Sequence, residues 1–256
     1  MADPWDRQNP PRLVGYESWL CQMPRIDSSG DVFVSVPLPK DADLPDEPPN
    51  RWLIALGDMA GKGETASRQK NALATELIRV VGTTTDPASI LKALNSWTDP
   101  AMKCVFATLL VVVIDSDRHE LTIALAGCMP PLLRRADRRV EFLAEEITGS
   151  PLWIDPGWTY EHVTVPIGPG EVVIFHSDGV TALIQSARIH DLSCNIDLEG
   201  LRLAITQARD GAASVGRSIL EAIRRFGQGR AQMDNITLLC LGRALPTTLP
   251  GGKVSR

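Results

Sequence analysis

Short apolar runs with strand character follow one another along most of this chain, and helical patterns interrupt them in only two places. Asp31-Val-Phe-Val-Ser-Val alternates, Trp52-Leu-Ile-Ala-Leu is a compact apolar run, and Val105 to Ile114 is a longer one. Leu121 to Leu125, Tyr160 to Val165, Glu171 to Phe175 and Ile236 to Leu241 continue the series. Runs of this length, rich in β-branched residues and bounded by turn formers, predict strands. Asp115-Ser-Asp-Arg lies between two of them and predicts a hairpin turn.

The helical interruptions are distinct. Gly63 to Val81 repeats apolar residues at helical spacing, and Asp86-Pro87 opens a second helix reaching Trp97, with Asp86 as the cap and Pro87 in the first turn. Leu198 to Ala208 and the amphipathic Ser214 to Phe226 form a second pair just before the last strand. Two helices after the early strands, then consecutive strands, favour an α+β fold with largely antiparallel sheets over alternating parallel units. Pro37 to Asn50, with five prolines and four acids, reads as an exposed loop between strands. Residues 1–12 and 244–256 read as loose ends. Residues 13–243 carry no repeat and no central linker, and so read as one domain.

Composition narrows the function. A formal charge of -5 argues against nucleic acid or an anionic membrane as a partner, since both attract basic surface. The longest apolar run is too short to cross a bilayer, the N-terminus is polar and Pro-bearing, and the five cysteines are scattered without a C-x-x-C pair. The chain therefore reads as soluble and cytoplasmic.

Four aspartates sit where apolar runs begin or end: Asp31 after Ser29-Gly30, Asp58 after Trp52 to Gly57, Asp178 before Gly179, and Asp234 before Asn235-Ile236. One aspartate beside glycine is an ordinary turn former. Four in the same context would form a carboxylate cluster if those ends meet, and a cluster of oxygen donors suits a hard cation such as Mg²⁺ or Mn²⁺.

Gly57-Asp58-Met59-Ala60-Gly61-Lys62-Gly63, running into a helix with Ala66, resembles the signature of the stage II sporulation protein E (SpoIIE)-type phosphatases. These are a bacterial branch of the protein phosphatase type 2C, or PPM, superfamily. Further blocks resemble the family in order: Ser29-Gly30-Asp31, Phe106-Ala107-Thr108-Leu109, Ala126 to Leu132, Pro169-Gly170-Glu171, Ser177 to Val180, and Asp234 to Thr237. The resemblance implies an αββα sandwich of two stacked antiparallel sheets. It implies a serine/threonine phosphatase whose partner is a phosphorylated regulatory protein, such as an anti-sigma-factor antagonist. Two divalent cations, Mn²⁺ or Mg²⁺, would activate the attacking water. Asp58 would bridge them with help from the Met59 carbonyl, Asp178 and Asp234 would hold one side, and Asp31 would orient water or add a further ligand.

Two alternatives of other kinds are a non-catalytic phosphoprotein-binding module and a hydrolase of small phosphate esters. Gly61-Lys62-Gly63 lacks the spacing of a phosphate-binding P-loop. Cys128 and Met129 stand where the family usually has His and Asn, which points to altered packing or substrate preference. His176 falls inside a strand pattern and reads as an imidazole held within the sheet.

Overall fold

The computed structural model describes residues 10–23, 30–38, 49–61, 63–99, 106–180, 196–226 and 235–245. The elements in chain order are β1 (Tyr16–Met23), β2 (Asp31–Pro37), β3 (Arg51–Met59), α1 (Glu64–Val81), α2 (Pro87–Ser96), β4 (Ala107–Asp115) and β5 (Glu120–Ala126). There follow β6 (Leu132–Arg134), β7 (Val140–Phe142), β8 (Thr148–Gly149), β9 (Val163–Pro166), β10 (Val172–His176), α3 (Ile196–Gln207), α4 (Ala212–Phe226) and β11 (Ile236–Arg243). The strands form two sheets, one ordered β1-β11-β10-β6-β7 and the other β2-β3-β4-β5-β8, with β9 also paired to β5. Every pairing is antiparallel except the two-residue contact of β5 with β8.

Side-chain alternation builds the layers. On β3, Ile54 and Leu56 face the other sheet, whereas Leu53, Ala55 and Met59 face the helices α1 and α2. On β4, Leu110, Val112 and Ile114 enter the inter-sheet core while Leu109, Val111 and Val113 lie under the helices. A strand buried on both faces must be apolar throughout, which is why Leu109 to Ile114 shows no polar position. On β11, Leu239 and Leu241 meet the opposite sheet, and Leu238 and Cys240 pack beneath α3 and α4. The result is the expected four-layer α-β-β-α sandwich.

The local signals act as read. Asp86 caps α2 by accepting from the Ser89 amide at 2.7 Å, and the hairpin between β4 and β5 closes over residues 116–119. Three boundaries differ from the reading. β3 does not stop before Asp58 but runs through it to Met59, because both neighbouring strands continue to pair with it. Tyr160 is not in a strand; its hydroxyl donates to the Ser150 carbonyl at 3.0 Å, and β9 starts only at Val163. Within the proline-rich stretch, Pro37 still belongs to β2 and the buried Leu38 bonds to the Arg51 carbonyl; residues 39–48 lie outside the described ones. Among the described residues, no helix is long and apolar enough to cross a membrane.

Candidate metal centre

Asp31 and Asp58 sit directly opposite each other in the β2–β3 ladder. Strand alternation places both on the face that looks toward the second sheet, continuing Phe33 on β2 and Ile54 and Leu56 on β3. One carboxylate faces its neighbour at the open end of the inter-sheet space, where the apolar core gives way to solvent. Asp31 is only 6% exposed, and the hydroxyl of Thr237 on β11 donates to its Oδ2 at 2.7 Å. This bond crosses from one sheet to the other and fixes the Asp31 side chain.

Asp58 is half-buried, and its backbone amide donates to Thr108 Oγ1 at 3.3 Å. Asp58 and Asp178 line one cleft of about 110 Å³, together with Leu56, Thr108, Cys128, Met129 and Ser177. Asp178 reaches the cleft because the chain turns immediately after β10. That turn lies hard against the start of β11: a Cβ at Gly179 would sit 1.8 Å from the Asn235 carbonyl oxygen. Only glycine allows the two backbones to approach this closely. Ser177 ties them further, accepting from the Thr237 amide at 3.0 Å and donating its own amide to the Thr237 carbonyl at 2.9 Å.

Of the residues singled out from the sequence, Asp31, Asp58, Met59 and Asp178 come to this end of the sandwich, and Asp234 lies outside the described residues, as does Lys62. Among the described residues, no three acidic, His or Cys side chains converge into a complete ligand set of their own. An open, oxygen-only site of one or two carboxylates suits Mg²⁺ or Mn²⁺, which retain several waters and share ligands with a phosphate. Gly30 supplies the space such a site needs. A Cβ there would lie 2.5 Å from Asp58 Oδ1 and 3.5 Å from the Met59 carbonyl oxygen, and so would occupy the volume beside both oxygens. The donors present therefore fit a hard divalent cation.

The remaining cleft residues are poor reactants. Cys128 keeps part of its surface at the cleft, yet burial pushes its thiol up to about 12, so it stays protonated at neutral pH. The Thr108 and Ser177 oxygens are held by backbone amides. His176 is buried, burial holds its imidazole pKa below the usual value, and its Nδ1–H donates to the Ser177 carbonyl at 3.1 Å. Alternation with Val172 and Ile174 turns its side chain to the helix-covered side of β10, while the residue also borders the cleft next to Asp178. Sequence reasoning missed Thr237 and Thr108 as positioning groups. Both stand in blocks that matched the family, but their partners are distant in sequence.

Residues 48–244 match the family model of stage II sporulation protein E (SpoIIE). The phosphoserine phosphatase RsbU of Bacillus subtilis (strain 168) is 26% identical over 129 residues, which is 50% of this chain but only 38% of that protein. The chain thus spans well under half of that relative's length. The structure of the PP2C phosphatase domain of SpoIIE from Bacillus subtilis, with a fragment of its regulatory domain, superposes with a TM-score of 0.70 at 18% identity, covering 91% of this chain and 64% of that one. RsbX, solved in complex with magnesium, superposes with a TM-score of 0.62 at 17% identity, covering 91% of this chain and 98% of that one. The fold is that of the PP2C-type phosphatases, and by the extent of its family match the chain belongs to the stage II sporulation protein E family.

Proposed function

We propose that this chain is a metal-dependent protein serine/threonine phosphatase acting on a phosphorylated regulatory protein. The observation that carries the reading is the meeting of Asp58 and Asp178 in one cleft, with Asp31 directly opposite Asp58, in a chain of a phosphatase family. Asp58, with the Met59 carbonyl as a further oxygen donor, and Asp178 with Asp234 would hold the divalent cations. Asp31, pinned by Thr237, would orient water for in-line attack on phosphorus. Divalent cations bound there supply Lewis acidity, which acidifies water and neutralises charge on the phosphoryl group. The thiol of Cys128 stays protonated and the hydroxyls of Thr108 and Ser177 are engaged by backbone amides, which favours water over these groups as the nucleophile.

The relative named a phosphoserine phosphatase supports a phosphoserine or phosphothreonine substrate, and an anti-sigma-factor antagonist-like domain is the partner we favour. We place the reaction in the cytoplasm and the catalytic unit at residues 13–243. The test is hydrolysis of p-nitrophenyl phosphate and of a phosphoserine peptide with Mn²⁺ or Mg²⁺, abolished by chelator. Asp58→Asn is expected to lower turnover by at least about a hundredfold with the circular dichroism spectrum unchanged. Near-normal turnover in that variant sinks the assignment. Peptide binding without hydrolysis would mark a binding module, and turnover confined to free phosphate esters would mark a metabolite hydrolase.

A further inference from the structure

His176 ends β10 beside the cleft and is only 8% exposed. Its ring is held by one hydrogen bond. A carbonyl oxygen only accepts, so the 3.1 Å contact between Nδ1 and the Ser177 carbonyl puts a proton on Nδ1. In the neutral ring Nε2 is then bare, and it is buried without a hydrogen-bond partner among the described residues. A buried polar atom left unpaired is destabilising. A phenyl ring would fill much the same space without that cost, and what it lacks is the Nδ1–H.

The target of that N–H gives it a role. The Ser177 carbonyl belongs to the planar peptide unit that leads into Asp178, so a group that fixes this oxygen fixes the plane from which Asp178 departs. The same oxygen accepts from the Val180 amide at 3.2 Å, which closes the turn around Asp178 and Gly179. The amide and hydroxyl of Ser177 are tied to Thr237 on β11. The neighbouring strand thus holds one end of the turn, and the imidazole holds the peptide between Ser177 and Asp178. As an exposed side chain, Asp178 takes its direction mainly from the backbone beneath it.

We propose that His176 is a positioning residue of the metal centre: its Nδ1–H clamps the Ser177–Asp178 peptide and so aims the Asp178 carboxylate at a divalent cation in the cleft. This inference rests on the reading of Asp178 as a cation ligand. It adds a residue that touches neither the cation nor the substrate and acts through the backbone alone.

The test separates the N–H of the ring from its bulk. His176→Asn keeps a donor close to the Nδ1 position and loses bulk, whereas His176→Phe keeps the bulk and loses the donor. Mn²⁺ binding to each full chain is measured by titration calorimetry, with thermal midpoints in chelator as the control for folding. His176→Phe is expected to raise the Mn²⁺ dissociation constant by about tenfold, the scale on which groups that orient a metal ligand act, with a midpoint in chelator no lower than the wild type. His176→Asn is expected to melt earlier in chelator yet to bind Mn²⁺ nearly as the wild type does. A merely structural ring gives the reverse, with affinity following stability. Unchanged affinity in His176→Phe, or an equal loss in both variants, overturns the clamp. His176→Leu replaces the phenyl variant if that protein does not fold. If the wild-type protein binds no Mn²⁺, the metal-centre reading fails instead, and hydrogen exchange of the Val180 amide in the metal-free proteins then decides. Faster exchange in His176→Phe but not in His176→Asn upholds the clamp, and any other pattern overturns it.

Discussion

At the scale of single residues, the bond between Thr237 and Asp31 ties the site together across the sandwich. Asp31 is almost fully buried, and a buried carboxylate left short of a donor carries a desolvation cost of about 1–3 kcal/mol. Thr237→Val keeps the shape and removes the hydroxyl. It is expected to lower stability at neutral pH by roughly 1–3 kcal/mol and to reduce phosphatase turnover, while Thr237→Ser restores both. Denaturant midpoints with turnover measured on the same samples check this, and a Thr237→Val protein with unchanged stability and rate would remove Thr237 from the site. The sequence held this threonine inside a matched block, yet no periodicity announces a hydrogen bond between side chains 206 positions apart. Aspartates were legible because charge against an apolar run is costly and therefore conspicuous. Their hydroxyl partners were not, because a threonine on a strand is what any sheet contains.

At the scale of elements, what was legible followed burial. β3, β4, β10 and β11 are covered on both faces, so each shows as a dense apolar run. β1 escaped notice because it is an edge strand: Tyr16 to Met23 is half-buried at most positions and mixes Glu17, Ser18 and Gln22 with Trp19 and Leu20. β6, β7 and β8 are too short for any period to register. β1 nevertheless helps to clamp the two sheets at the end away from the cleft, where the Tyr16 hydroxyl lies 3.2 Å from Nδ1 of His119 in the β4–β5 turn. Burial pushes the Tyr16 phenol up to about 12, so it keeps its proton at neutral pH and pairs with the neutral His119 ring. Burial, with Arg243 nearby, lowers the His119 pKa in the folded protein. The unfolded chain therefore binds the proton first on acidification. The contribution is complete above pH about 6.5 and is lost as the pH falls through the lower folded value. His119→Gln is expected to flatten the fall in stability between about pH 7 and pH 5, by no more than about 1 kcal/mol. Urea titrations of both proteins across that range check it, and parallel pH profiles would show that the contact does not depend on protonation.

At the scale of the whole molecule, the sandwich gathers negative charge at one end, and cation binding and folding should be coupled there. Asp31 and Asp58 face each other across one ladder, and Asp178 joins Asp58 in the cleft. Two carboxylates in close contact repel by roughly 4 kcal/mol at an effective dielectric of about 20, and protonation or movement reduces this. The inter-sheet core, anchored by residues such as Phe33, Leu56, Phe175 and Leu239, opposes that repulsion in the absence of cations. A ligand that binds only the folded state adds stability by mass action, about 2.7 kcal/mol at a hundred times its dissociation constant. For a chain of this length, that corresponds to a rise in thermal midpoint of roughly 5–10 °C. Mn²⁺ or Mg²⁺ is therefore expected to raise the midpoint of the wild-type protein by about that amount. Asp178→Ala and Asp234→Ala should each lose most of the gain. Asp178 is exposed at the cleft, so its removal should leave the midpoint in chelator within a few degrees of the wild type. Thermal scans of the three proteins, with and without metal, test both halves. Equal metal-induced shifts in all three would reduce Asp178 and Asp234 to turn formers beside glycine and asparagine, and the cations would then have to bind elsewhere.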